Sequence, residues 1–126
     1  MLVSQKKKIL IVDDNPEVTR TMKLGVELIG IHVVTFNDPV DAVEAFKAGS
    51  YDLVVLDFQM PKMNGFQVYR EMRKVDPRVK ICFLTAFDIY KSEFKTVFPE
   101  LDVCSFLKKP ILASDLAEQL NELLIA

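Results

Sequence analysis

The sequence predicts a doubly wound α/β domain: a five-stranded parallel sheet flanked by five helices. Three observations carry that reading. Short, uninterrupted apolar runs, of which Leu53 to Leu56 is the clearest, suit strands buried on both faces. These runs alternate with stretches of helical periodicity, two of which open on an Asx-Pro pair, Asn15-Pro16 and Asp38-Pro39. Strands that alternate with helices and cross over right-handedly leave a parallel sheet as the natural arrangement.

Taken in order, Ile9 to Val12 form the first strand, closed by Asp13 and Asp14. Asn15-Pro16 starts a helix whose apolar stripe is Val18, Met22 and Leu28–Ile29, with Gly30 as its stop. His32 to Phe36 make a second, edge strand, and Asp38-Pro39 opens a second helix that buries Val43 and Phe46 before Gly49. The third strand runs from Asp52 to Asp57, and Pro61, Asn64 and Gly65 mark the loop after it. From Gly65 to about Lys74 a third helix buries Phe66, Tyr69 and Met72, until Asp76-Pro77 breaks it. Val79 to Leu84 is the fourth strand, ending in Thr85. A fourth helix over Asp88 to Phe98 has scattered apolar positions and is stopped by Pro99. Val103 to Leu107 form the fifth strand, followed by Lys108, Lys109 and Pro110. Ser114 is placed to cap the last helix, whose stripe is Leu116, Leu120, Leu123 and Leu124.

The 126 residues are expected to form one domain, 1–126, with no output domain after it. That length buries roughly two-thirds of the unfolded surface. A formal charge of −2 offers no electrostatic case for nucleic acid or an anionic membrane, and Lys6 to Lys8 read as a solvated approach to the first strand. No apolar run approaches the ~20 residues of a membrane span, and Ile9–Val12 is too short for a secretory signal core. Cys82 and Cys104 fall in apolar segments and read as small buried hydrophobes, which points to a reducing cytoplasm. His32 is the single histidine, so zinc chemistry is not expected.

What ends each strand carries the chemistry. The first ends in Asp13-Asp14, the third in Asp57, the fourth in Thr85 and the fifth in Lys109, and in a parallel sheet these ends share one edge. Open α/β sheets bind their ligands there. Singly, each residue has a plain structural explanation: Asp14 as a helix cap, Asp57 as a loop cap, Thr85 as an ordinary strand residue, Lys109 as a solvated charge. Together on one edge they do not. Carboxylates at ~4 Å and an effective dielectric near 20 repel by about 4 kcal/mol per pair. One lysine does not neutralise three of them, whereas a divalent cation on oxygen ligands would, and Mg²⁺ suits an open carboxylate site better than a softer metal. A metal beside a carboxylate nucleophile, an ammonium and a hydroxyl is equipment for phosphoryl transfer, with Asp57 as the reactive group. With only four glycines and no phosphate-cradling loop, a nucleotide is not the obvious donor.

The set Asp13-Asp14, Asp57 with Met60-Pro61 and Asn64-Gly65, Thr85-Ala86 and Lys109-Pro110 resembles the receiver domain of two-component response regulators, over essentially the whole chain. The resemblance implies a flavodoxin-like fold with strand order 2-1-3-4-5. It implies that Asp57 accepts a phosphoryl group from the phosphohistidine of a sensor histidine kinase or a phosphotransfer protein. It also implies that Asp14, Asp57 and the backbone carbonyl of Gln59 ligate Mg²⁺, with Asp13 acting mainly through a metal-bound water. Lys109 would pair with phosphate oxygens, and the bond to Pro110 is a candidate for cis. Thr85 would donate its hydroxyl to the phosphoryl group as Phe106 turns inward, and Gln59 and Phe87 would set how long that group survives. Such a module is a switch for a downstream protein rather than an enzyme; it binds neither nucleic acid nor membrane directly, and homodimerisation is left open.

The sequence departs from the family pattern on one side. Pro99 to Cys104 replace the usual small Gly-Ala pair, the interval from Thr85 to Lys109 is long, and Phe106 lacks the tyrosine hydroxyl often found there. Other readings remain: a haloacid-dehalogenase-like phosphatase, disfavoured by Gln59 where that family has a second Asp; a flavodoxin-like electron carrier, disfavoured by the absence of a phosphate loop after the first strand; and a receiver-like scaffold that takes no phosphate.

Overall fold

The computed structural model describes residues 6–86 and 105–125. Strands β1 (Lys8–Val12), β2 (His32–Phe36), β3 (Leu53–Asp57), β4 (Lys80–Thr85) and β5 (Ser105–Lys108) form one parallel sheet in the order β2-β1-β3-β4-β5. The described helices are α1 (Pro16–Glu27), α2 (Pro39–Ala45), α3 (Gly65–Val75) and α4 (Ala113–Ile125). The helix expected over Asp88 to Phe98, the start of the fifth strand at Val103 and Cys104, and Phe87 lie outside the described residues.

The uninterrupted apolar runs have the cause the sequence suggested. Along β1, Ile9 and Ile11 join a cluster with Val26 of α1 and Leu116 and Leu120 of α4, while Leu10 and Val12 point the other way, towards Ala42 of α2 and Val68 and Met72 of α3. Both faces are covered, so neither tolerates a polar position. Asn15 Oδ1 accepts from Glu17 N at 3.0 Å and Asp38 Oδ1 from Val40 N at 2.8 Å, each followed by proline in the first turn. Asn64 and Gln67 cap α3 reciprocally, each side chain accepting from the other's backbone N–H at 2.9 Å. Such caps contribute about 1 kcal/mol apiece.

Several expected core positions differ. In α1 the buried side chains are Thr19, Met22 and Val26; the helix ends at Glu27 and turns through Gly30 at φ +89°, so Leu28 and Ile29 are carried out to solvent, 86% and 50% exposed. In α2 Pro39 and Ala42 take the buried face, with Val43 half-buried and Phe46 buried just past the helix end. In α3 Val68 is buried beside Tyr69 and Met72, while Phe66 is half-buried. Helix α4 begins at Ala113, so Ser114 lies within its first turn instead of capping it, and Ala117 joins Leu116, Leu120 and Leu124 in the core with Leu123 at its margin.

Gly25 fixes how closely α1 lies to the start of α4. A Cβ there would sit 2.3 Å from Ala113 Cβ and 3.3 Å from that residue's backbone. Gly25→Ala is therefore expected to lower stability by about 1–2 kcal/mol, although alanine is the better helix former by about 1 kcal/mol. A urea-unfolding midpoint at or above that of the parent would contradict this packing.

Candidate functional site

The register of the sheet decides which side chains meet. Val12 pairs with Leu56, so Asp13 and Asp57 follow level positions on neighbouring strands; Asp57 pairs with Leu84, and Thr85 with Lys108. Pairing continues past the strand ends, with Asp13 N donating to Phe36 O at 3.2 Å, Phe58 N to Leu84 O at 2.9 Å and Lys109 N to Thr85 O at 2.7 Å. The Lys109–Pro110 bond is cis, as expected. Residues almost a hundred positions apart in the chain thus stand at one edge.

There the Lys109 ammonium lies 2.6 Å from Asp13 Oδ2 and 3.3 Å from Asp57 Oδ1. The second Asp13 oxygen accepts from Asn15 N at 2.9 Å. Asp13, Asp57 and Thr85 are buried, whereas Asp14 is exposed at the mouth. Carboxylate oxygens of Asp13, Asp14 and Asp57 lie within 4.8 Å of one another. Gln59 offers its backbone N–H to the Asp57 carboxylate while its side chain faces solvent. Phe106 is half-buried with its ring 5.8 Å from that of Phe83.

Burial pushes the Asp57 carboxyl up to about 6, and the Asp13 charge pushes the same way; Lys109 and the Gln59 N–H only partly offset them. Burial alone would lower the Lys109 pKa, but its hydrogen bonds and charge interactions with Asp13 and Asp57 outweigh that and raise it. Lys109 remains a cation, and Asp57 is the under-compensated anion. Three hard oxygen donors around an opening are chemically suited to a divalent cation.

Of two further contributors, Gly65 was read in the sequence only as part of the loop and motif after β3, and Asn37 was not singled out at all. Gly65 opens α3 directly against the end of β3: its N–H donates to Phe58 O at 2.8 Å, and a Cβ there would meet Asp57 O at 2.7 Å and Phe58 Cα at 2.9 Å. Asn37, one residue beyond β2, donates from its side-chain amide to Asp13 O at 2.8 Å. The rule that found the other residues, what stands at each strand end, points to it as well.

This chain belongs to the response regulator receiver domain family, whose model matches residues 9–121. It is 34% identical over 94% of its length to "Probable transcriptional regulator ycf27" of Cyanophora paradoxa and covers 48% of that protein. Against the ycf27 proteins of that organism and of Porphyridium aerugineum the chain spans about half the relative's length, 48% and 49%. Among solved structures, the non-phosphorylated HemR receiver domain of Leptospira biflexa superposes with a TM-score of 0.84 at 26% identity, covering 96% of both chains. TrrA of Thermotoga maritima, solved in complex with Mg²⁺-BeF, has a TM-score of 0.76 at 32% identity over 93% of this chain and 98% of its own. Phosphoryl transfer to an aspartate is the general function of this family.

The Asp57 environment makes a prediction about the metal-free protein. With a folded pKa near 6 against 3.8 unfolded, ionised Asp57 costs nothing below about pH 4, and the cost develops between the two values and is complete above the higher. Asp57→Asn is expected to stabilise the metal-free protein at pH 7 by on the order of 1–3 kcal/mol, with the gain fading as pH falls to about 4. Urea unfolding at the two pH values checks it.

Proposed function

We propose that Asp57 is the phosphoacceptor and that the domain works as a Mg²⁺-dependent switch rather than as an enzyme acting on other molecules. The observation that carries this is the Lys109 ammonium shared between Asp13 and Asp57, with three carboxylates gathered at its side. An Asp57 oxygen attacks the phosphorus of a phosphohistidine on a sensor kinase or phosphotransfer protein; the P–N bond breaks and the imidazole leaves. Asp13, Asp14, Asp57 and the Gln59 carbonyl would hold Mg²⁺, which supplies charge neutralisation for the carboxylates and the phosphoryl oxygens. Lys109 pairs with a phosphoryl oxygen, releasing part of its hold on Asp13. The Thr85 hydroxyl donates to another, and Phe106 follows it inward. The site is assigned to the cytoplasm, where such kinases present their phosphohistidine.

The consequence is a population shift that alters the surface offered to a downstream protein. Taking a two-state equilibrium from 1:99 to 99:1 needs about 5.5 kcal/mol of differential stabilisation. Charge-assisted hydrogen bonds to charged groups contribute about 1.5–3 kcal/mol each, so Lys109 and Thr85 together have the required scale.

Incubation with acetyl phosphate and Mg²⁺ should add the mass of one phosphoryl group, and the addition should vanish in Asp57→Asn and fall steeply in Lys109→Ala. Label that persists in Asp57→Asn would remove Asp57 from its role, and continuous turnover of a phosphate ester would favour the phosphatase reading. Phe87, two residues past Thr85 and outside the described residues, is assigned to shielding the in-line approach of water. A carboxylate there would orient that water as a general base. The phosphoryl half-life is accordingly expected to be shorter in Phe87→Glu than in the parent, as read by loss of the added mass with time.

A further inference from the structure

We propose that the corner after β2, Asn37 with Asp38, positions both loops that carry the cation ligands while supplying no ligand itself. The inference rests on the phosphoacceptor reading above and gives a role to residues that reading leaves without one.

The Asn37 amide nitrogen donates to two acceptors, Asp13 O at 2.8 Å and Thr19 Oγ1 at 2.9 Å. Both hydrogens of the amide are thereby used. Thr19 is buried, and its hydroxyl in turn donates to Pro16 O at 3.1 Å. One neutral side chain therefore ties the backbone of the Asp13-Asp14 turn to the first turn of α1. It does so without adding a charge to a place already crowded with anions.

Asp38 reaches the other way. Its Oδ1 caps α2 through Val40 N, and its Oδ2 takes the Lys62 ammonium at 2.5 Å. Lys62 stands in the loop between β3 and α3, three residues past Gln59, with φ +71°. That left-handed conformation is unusual for a side-chain-bearing residue. The turn around it is closed by Met63 N donating to Pro61 O at 2.8 Å. The ion pair anchors the tip of this loop to the start of α2. Adjacent residues on one corner thus grip the acid turn on one side and the acceptor loop on the other.

The spacing between Asp13-Asp14 and Asp57–Gln59 is then set by a third element as well as by the β1–β3 ladder. Three mutually repelling carboxylates would otherwise relax apart, above all the exposed Asp14. Groups that hold metal ligands in place are typically worth about 10–100-fold in affinity or activity, while an exposed ion pair contributes less.

The test is Mg²⁺ affinity, measured by calorimetry on the folded full chain, beside urea unfolding without Mg²⁺. Asn37→Ala is expected to weaken Mg²⁺ binding about tenfold and Lys62→Ala about threefold. Asn37→Gln, which keeps an amide donor, should recover part of the loss. Because the two grips act on different loops, the losses should multiply in the double variant. Parental affinity in both single variants overturns the proposal, even if their unfolding midpoints fall, since that pattern belongs to a purely structural role. Lys62→Ala changes an exposed side chain and keeps the test available should Asn37→Ala not fold. A parent that binds no Mg²⁺ at all would instead sink the phosphoacceptor reading, and this proposal with it.

Discussion

One ammonium serves two buried carboxylates, and the arrangement of the carboxyl edge follows from that shortage. Lys109 lies closer to Asp13 than to Asp57, 2.6 Å against 3.3 Å, and Asp13 has the Asn15 N–H besides. Asp13 is the better-compensated charge; Asp57 is left with burial and a like charge against it, which is why its pKa rises to about 6. Buried charges are tolerated only when paired and hydrogen-bonded, so a site that satisfies one acid fully and another partly keeps a standing preference for an added cation. Any cation bound at this opening stabilises the ionised form of Asp57.

The sheet delivers this geometry because its strands end in step. The ladders fix Asp13 beside Asp57 and Thr85 beside Lys108, and the backbone bond from Lys109 to the Thr85 carbonyl ties the ammonium's residue to the hydroxyl's. After β3 the chain must turn at once into α3, and Gly65 makes that possible, since any Cβ would run into the Asp57 carbonyl. Asn64 and Gln67 then close the helix start, so the end of β3 at Asp57 is held by short-range contacts. Helix positions further along the same chain are freer, which is why Phe66 and Val68 could exchange the expected degrees of burial without disturbing the edge.

Legibility in the sequence followed the same division. Strands buried on both faces favour apolar residues, so the runs Ile9–Val12, Leu53–Leu56 and, after Lys80, Ile81–Leu84 gave away the sheet and the break in each run gave away its edge. The proline-marked helix starts were equally plain, because Asn15, Asp38 and Asn64 make their caps through local contacts. Helix ends were not: Leu28 has the right residue type for a core but follows a chain already turning away at Gly30. Ser114 has the right chemistry for a cap, yet the helix begins one residue earlier at Ala113, where contact with Gly25 sets its position. At the site, the charged residues could be read from their places in the strand order, whereas Asn37, although it too follows a strand end, carries no charge to mark it. Its two acceptors, Asp13 O and Thr19 Oγ1, are brought to it only by the folded chain.

The aromatic residues beside Asp57 bear on how a charge placed there could be felt elsewhere. Phe58 follows Asp57 directly, and its ring meets Phe83 edge-on at 5.5 Å; Phe83 meets Phe106 at 5.8 Å and Tyr69 at 6.1 Å. Since Phe83 pairs with Leu56 on one side and Phe106 on the other, the row crosses β3, β4 and β5 on a single face. Spatial continuity is not by itself coupling. Its physical content here is that Phe83 is fully buried between its neighbours while Phe106 is only half-buried. Interiors packed at crystal-like density pass displacement on instead of absorbing it, so a shift of the Phe58 ring would be passed to Phe83 and to the rings packed against it.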